Sequence, residues 1–335
     1  MMPFYRLILK KAFKLSFRHK WLWIFGFFAA FIGNTSFYEA LVRTLNNLSA
    51  NQSPFLIFKD YAKMGVLALL APENIKRLWE ADSTAFGMLI FAAICYLAVI
   101  VILIVLGVIS QGSSIAGAIK LDEGHKIGFR EAFALGTKHF GVVLKINVIT
   151  KVILLGALVL VGYLLSLINI STSVNFVIYN ISFVLFIIFG IILFFLTTYG
   201  AAFAILRGKS PVQSLKSAFN LFKKHIILNL EMGFILFAMS VLFSFVVMVG
   251  LFLLFSPALL IYVVFLFSAM DQASSVLFMT IGVLLFLLVV LSFSWFSTFQ
   301  ITVWALLFEE LELRGGKSKL IRLFEHVKTK IGRTR

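Results

Sequence analysis

The chain has 335 residues, 61% hydrophobic and 13% charged, with Phe at 39 positions and a mean hydropathy of +1.04. A soluble domain carries about 25% charged and about 45–50% apolar residues, and no soluble fold of this length hides such an excess. A single cysteine, Cys95, and 5 prolines exclude a disulfide scaffold and a Cys-rich metal protein. What remains is an all-α polytopic membrane protein.

Lys and Arg number 30 against 14 Asp and Glu, a formal net charge of +16. In a soluble protein this balance points to nucleic acid; between apolar segments it is topological, because basic loops stay in the cytoplasm. No nucleic-acid partner is expected. The expected partners are membrane lipids, anionic headgroups included, at about 1 kcal/mol per basic residue near the surface. Further membrane-protein partners are left open.

Six apolar segments follow in chain order: Trp21–Gly33, Thr84–Ser110, Phe140–Ile168, Val174–Leu206, Ile226–Phe255 and Ser274–Phe308. All but the first reach the ~20 residues that cross a ~30 Å hydrocarbon layer. The first must tilt, borrow from Asn34–Val42 or thin the bilayer. A cleaved signal peptide competes for it, but no small-x-small cleavage site follows and a retained helix is expected. Twenty-three basic residues fall on one side of this scheme and 5 on the other. Both termini are therefore predicted cytoplasmic, with Asn34–Ser83 as one long external loop carrying two short apolar stretches.

An eight-residue pattern, Ala-Phe-x-Leu-x-x-basic-His, occurs three times. It begins at Ala12, Ala132 and Ala218 and ends at Arg18-His19, Lys138-His139 and Lys224-His225. Each copy closes an amphipathic helix and opens an apolar segment. The third copy starts with Ser210 as N-cap, Pro211 at the first helical position and Gln213 completing a capping box. These helices are expected in the headgroup plane, with Phe toward acyl chains and the basic-His pairs as interface anchors. Metal binding by the histidines is disfavoured, since no Cys or carboxylate stands at ligand spacing. The unit repeats as interfacial helix, outgoing span and returning span, giving three parallel repeats at 1–118, 119–206 and 207–313. Glycines at Gly124, Gly208 and Gly315 end the returning spans, and 314–335 is a basic amphipathic tail.

The Arg18-His19-Lys20-Trp21-Leu22-Trp23 start and the repeated glycine turn, amphipathic helix and span resemble a superfamily of prokaryotic integral membrane proteins. It includes the membrane domain attached to some bacterial glycerophosphodiester phosphodiesterases. The resemblance implies the cytoplasmic membrane and lipid or envelope biology. It does not imply the activity, because the longest stretch outside the apolar segments falls far short of the ~250 residues of a barrel enzyme.

Ionisable residues inside spans are costly and mark candidate sites. Lys145 and Glu231 each stand six residues after the motif histidine, at equal depth and with opposite charge, and are expected to pair. Lys151 lies deeper and shares a face with Asn147. Polar groups near the inner ends of the returning spans, namely Gln111, Ser113 and Ser114; Thr197, Thr198 and Tyr199; Ser297, Thr298 and Gln300, could line a cytoplasm-facing cavity. The candidate polar site is Lys145, Asn147, Lys151, Glu231 and Gln300. No phosphate-binding glycine loop, His-Glu-x-x-His or nucleophile elbow occurs, so no catalysis, cofactor or metal is expected. The leading expectation is a non-enzymatic membrane protein that organises lipid or serves an envelope complex. A transporter or channel using Lys145, Lys151 and Glu231 is the alternative, and a membrane enzyme acting on lipid the third.

Overall fold

A computed structural model describes residues 4–32, 76, 79–80, 83–167, 172–268 and 270–314. The external loop and the basic tail of the sequence reading lie almost wholly outside the described residues. Among those described, all regular structure is helical. The elements are α1 Phe4–Arg18, α2 Leu22–Ile32, α3 Ser83–Asp122, α4 Phe129–Lys138, α5 Phe140–Leu167, α6 Thr172–Arg207, α7 Pro211–Lys224, α8 Ile226–Phe267 and α9 Asp271–Arg314. Five of them, α3, α5, α6, α8 and α9, are long and apolar enough to cross a membrane. At 11 residues and about 16 Å, α2 is too short to do so alone.

The helices end where local chemistry requires. Gly124 and Gly208 have φ of +86° and +63°, a left-handed conformation that side chains resist and glycine accepts. The His125 N–H returns to the Lys120 carbonyl at 2.9 Å and closes α3. Ser210 and Pro211 open α7 as expected, but the Ser210 side chain makes no capping hydrogen bond, so the capping box is not formed. Single residues, His139 and His225, break α4 from α5 and α7 from α8.

The helices α3, α6 and α9 pack on one another at the centre. Outside them, α2 lies on α9 and α3, α5 on α3 and α6, and α8 on α9. The amphipathic helices run antiparallel along the central three. In α4, Gly136 lies against Ser113 and Ile109, while Ala132 faces Gly117. In α7, Leu215 faces Gly200 and the Phe222 ring stacks on Phe195, centroids 4.8 Å apart. In α1, Leu7 and Ile8 share a cleft with Glu309 and Leu313 of α9, and the Ser16 hydroxyl reaches Thr302.

This arrangement differs from helices lying flat among headgroups. The motif alanines Ala12, Ala132 and Ala218 are fully buried against protein. The apolar faces are divided: Ile8, Leu221 and Phe222 enter the core with the alanines, while Phe13, Phe17 and Phe219 stay about half exposed. Phe13 touches Trp295 and Phe299, further along α9 from its charged end, whereas Lys11 pairs with Asp122 at the charged end of α3.

Apart from scattered buried side chains beyond it, such as Phe255, Ser274 and Ile281, burial is concentrated at this end. There Ile115–Ile119, Ala201–Ile205 and Val303–Phe308 are almost wholly enclosed apart from small gaps. The other halves of the long helices carry exposed apolar side chains, such as Ile94, Leu253, Phe267 and Phe286.

Candidate functional site

Where the packed base ends, a cavity of about 40 Å³ lies between α2, α3, α6 and α9. Its polar lining is Gln111, Thr198, Ser297 and Gln300; Ala29, Ile115, Phe194, Ile301 and Trp304 are among its apolar walls. Gln111, Thr198 and Gln300 come from the three central helices. Each stands nine residues before the first charged residue of its helix end: Lys120, Arg207 and Glu309. That is about 13 Å along each helix, so the three form one polar layer.

Interhelical hydrogen bonds surround the layer. Asn147 of α5 donates to Gln111 at 2.9 Å, and Thr197 of α6 donates to Thr150 of α5 at 2.9 Å. The Tyr199 hydroxyl donates to Asn229 of α8 at 2.6 Å, and Gln300 donates to Ser240 of α8 at 2.8 Å. Thr298 donates to the Leu22 carbonyl of α2 at 3.1 Å. Each outer helix is thus tied to the central triad by buried polar groups, whose alternative in an apolar medium is to go unpaired.

Lys151 donates its ammonium to the Ile32 carbonyl of α2, and Ile32 lines the cavity. Lys151 is itself exposed, so this bond lies at the edge of the bundle rather than inside it. Three of the five expected site residues, Asn147, Lys151 and Gln300, therefore border the cavity or hold a residue that does.

Lys145 and Glu231 do not meet. Lys145 is exposed and has no ion pair among the described residues, while Glu231 accepts a hydrogen bond from the Tyr5 hydroxyl of α1. The physical reason is angular. The spans α5 and α8 are both outer helices, and α6 stands between them, bonded to each. Equal depth on equivalent helices places two residues around an axis, not against one another.

The expected interface anchors occupy the helix breaks. His19, His139 and His225 are half-buried; Arg18, Lys138 and Lys224 are exposed beside them. His139 lies 3.0 Å from the Leu135 carbonyl through Nδ1. Burial, then the neighbouring Arg18, holds His19 below the usual imidazole range; burial, then Lys224, does the same to His225.

Of the polar residues expected to line a common cavity, Gln111, Thr198, Ser297 and Gln300 do so, brought together by the closure of α9 beside α3. The shared nine-residue offset fixes the common depth of Gln111, Thr198 and Gln300 in the sequence. Among the described residues, no group of three or more His, Cys, Asp or Glu could hold a metal ion. No protein-family model, no curated protein and no solved structure matches this chain.

Proposed function

We propose that this chain is a non-enzymatic, multi-pass protein of a cytoplasmic membrane that binds lipid, with both termini cytoplasmic. One observation carries the reading: the molecule divides into a packed, basic base and long apolar halves with exposed side chains. An apolar surface of that extent is covered by lipid tails, and a rim of Arg6, Lys10, Lys14 and Lys216 is placed to meet phosphates. Six spans in three repeats accord with the common packing of α1 on α9, α4 on α3 and α7 on α6. In this reading the cavity's polar layer sits near the middle of a ~30 Å core.

Native mass spectrometry of the protein in mild detergent tests the reading. Anionic phospholipid should be retained, and Lys10→Glu with Lys14→Glu should reduce retention several-fold relative to zwitterionic lipid. Retention of no lipid, or equal retention by the charge-reversed protein, would contradict it.

The polar layer favours a second reading, transport or conduction. Below the layer, however, Trp304, Leu307 and Phe308 are almost fully buried and close the base. Solute flux into proteoliposomes above that of empty vesicles would place this second reading first.

A further inference from the structure

The central cavity holds more hydrogen-bonding capacity than the chain uses. Thr198 is 6% exposed, and its hydroxyl has no hydrogen-bond partner among the described residues. The Gln111 amide accepts from Asn147 through its oxygen, and the Gln300 amide donates to Ser240 through its nitrogen. These are the hydrogen bonds of the two amides among the described residues, so the other polar atom of each is open, and Ser297 adds a hydroxyl to the lining. The layer therefore offers both donors and acceptors.

Among the described residues no ionisable side chain lines the cavity, and the nearby Lys151 ammonium is engaged by the Ile32 carbonyl. In the membrane reading the layer lies at mid-depth, where a phosphate or carboxylate would lose its solvation with no countercharge in the lining itself. A neutral group carries no such penalty. The volume of about 40 Å³ admits about three water-sized groups, at ~10–15 Å³ each. That suits a hydroxyl and an ester carbonyl, and is too small for a sugar or a drug-sized solute.

The surroundings fit the rest of such a molecule. Toward the base the walls are closed by Ile115, Trp304 and Ala305. Away from it, the helices that line the cavity carry exposed apolar side chains: Ile102 and Ile104 on α3, Leu185 and Ile188 on α6, Leu287 and Leu291 on α9. A polar layer with exposed apolar helix halves beyond it suits an amphiphile.

We propose that the cavity is a binding site for the hydroxyl-bearing head of a neutral lipid, with its acyl chains running among the apolar halves of α3, α6 and α9. The proposal rests on the lipid-binding reading and names the lipid class that the central site takes.

The test uses the full chain in nanodiscs and a diacylglycerol carrying a photoreactive group early in one acyl chain. Labelling should be saturable and should map to α3, α6 and α9 beside the cavity. Unlabelled diacylglycerol should compete, and phosphatidylglycerol should not. Thr198→Val, which keeps the side chain's shape, and Gln111→Leu should each reduce labelling at least fivefold. Thr198→Val should do so with an unchanged or higher melting temperature, because the hydroxyl it removes has no partner among the described residues. Labelling that is unsaturable, equally competed by phosphatidylglycerol or unmoved by both variants would overturn the site and leave only water in the cavity. If native mass spectrometry still shows retained phospholipid, that failure belongs to this site alone. If no lipid is retained, the broader reading fails with it.

Discussion

His19 and His225 stand at helix breaks with depressed basicity, and the sign of the consequence is fixed. Both favour the neutral imidazole in the folded chain, by burial first and by an adjacent cation second. The unfolded chain binds protons more readily below about pH 6.5, so stability is full above that value and falls as pH drops through it. The melting temperature in detergent should decline from pH 7 toward pH 5, and His19→Gln with His225→Gln should flatten that decline. An unchanged slope in the double variant would remove the histidines from the account. Steric contacts give a second prediction at this scale. A Cβ at Gly136 would stand 2.2 Å from the Ser113 hydroxyl and 2.4 Å from the Ile109 carbonyl, so Gly136→Val should cost about 1–3 kcal/mol by overpacking. Gly141, where an added Cβ meets nothing, is the control: Gly141→Ala should leave the melting temperature almost unchanged. The sequence made the polar residues of the returning spans visible, but not their partners. Glu231 and Lys145 show why: depth along a helix is encoded in residue spacing, while the angle around the bundle depends on which helices are neighbours.

The amphipathic helices show the same division at the scale of elements. Their existence and their closing histidines were legible, as were the glycine turns Gly124 and Gly208 that precede α4 and α7, because apolar period and left-handed turns are local. What covers the apolar face was not. Ala12, Ala132 and Ala218 permit close approach, and the surface they approach is another helix rather than a headgroup layer. The buried polar bonds should then hold outer helices to central ones. Breaking the Asn147–Gln111 bond tests this. Asn147→Leu and Gln111→Leu should be coupled by about 0.6–1.7 kcal/mol in a double-mutant cycle read by reversible unfolding in detergent. Simple additivity would show that the bond contributes nothing beyond packing.

At the scale of the molecule, length and charge set the terms. The hairpin of α8 and α9 has helices of 42 and 44 residues, about 63 and 66 Å, against a hydrocarbon core of ~30 Å. These helices must tilt strongly or rise beyond the core. In the proposed reading the basic base anchors one end, which the positive-inside rule would put in the cytoplasm. Single-cysteine labelling of intact cells decides whether the chain crosses a membrane in this sense. Cys95, the only native cysteine, is replaced by Ala, and new cysteines are placed at Gln213 of α7 and at Ser268 in the α8–α9 turn, both exposed. A membrane-impermeant maleimide should label Ser268→Cys in intact cells and Gln213→Cys only after permeabilisation. Labelling of Gln213→Cys in intact cells, with Ser268→Cys protected, would contradict the orientation and the lipid-facing reading built on it.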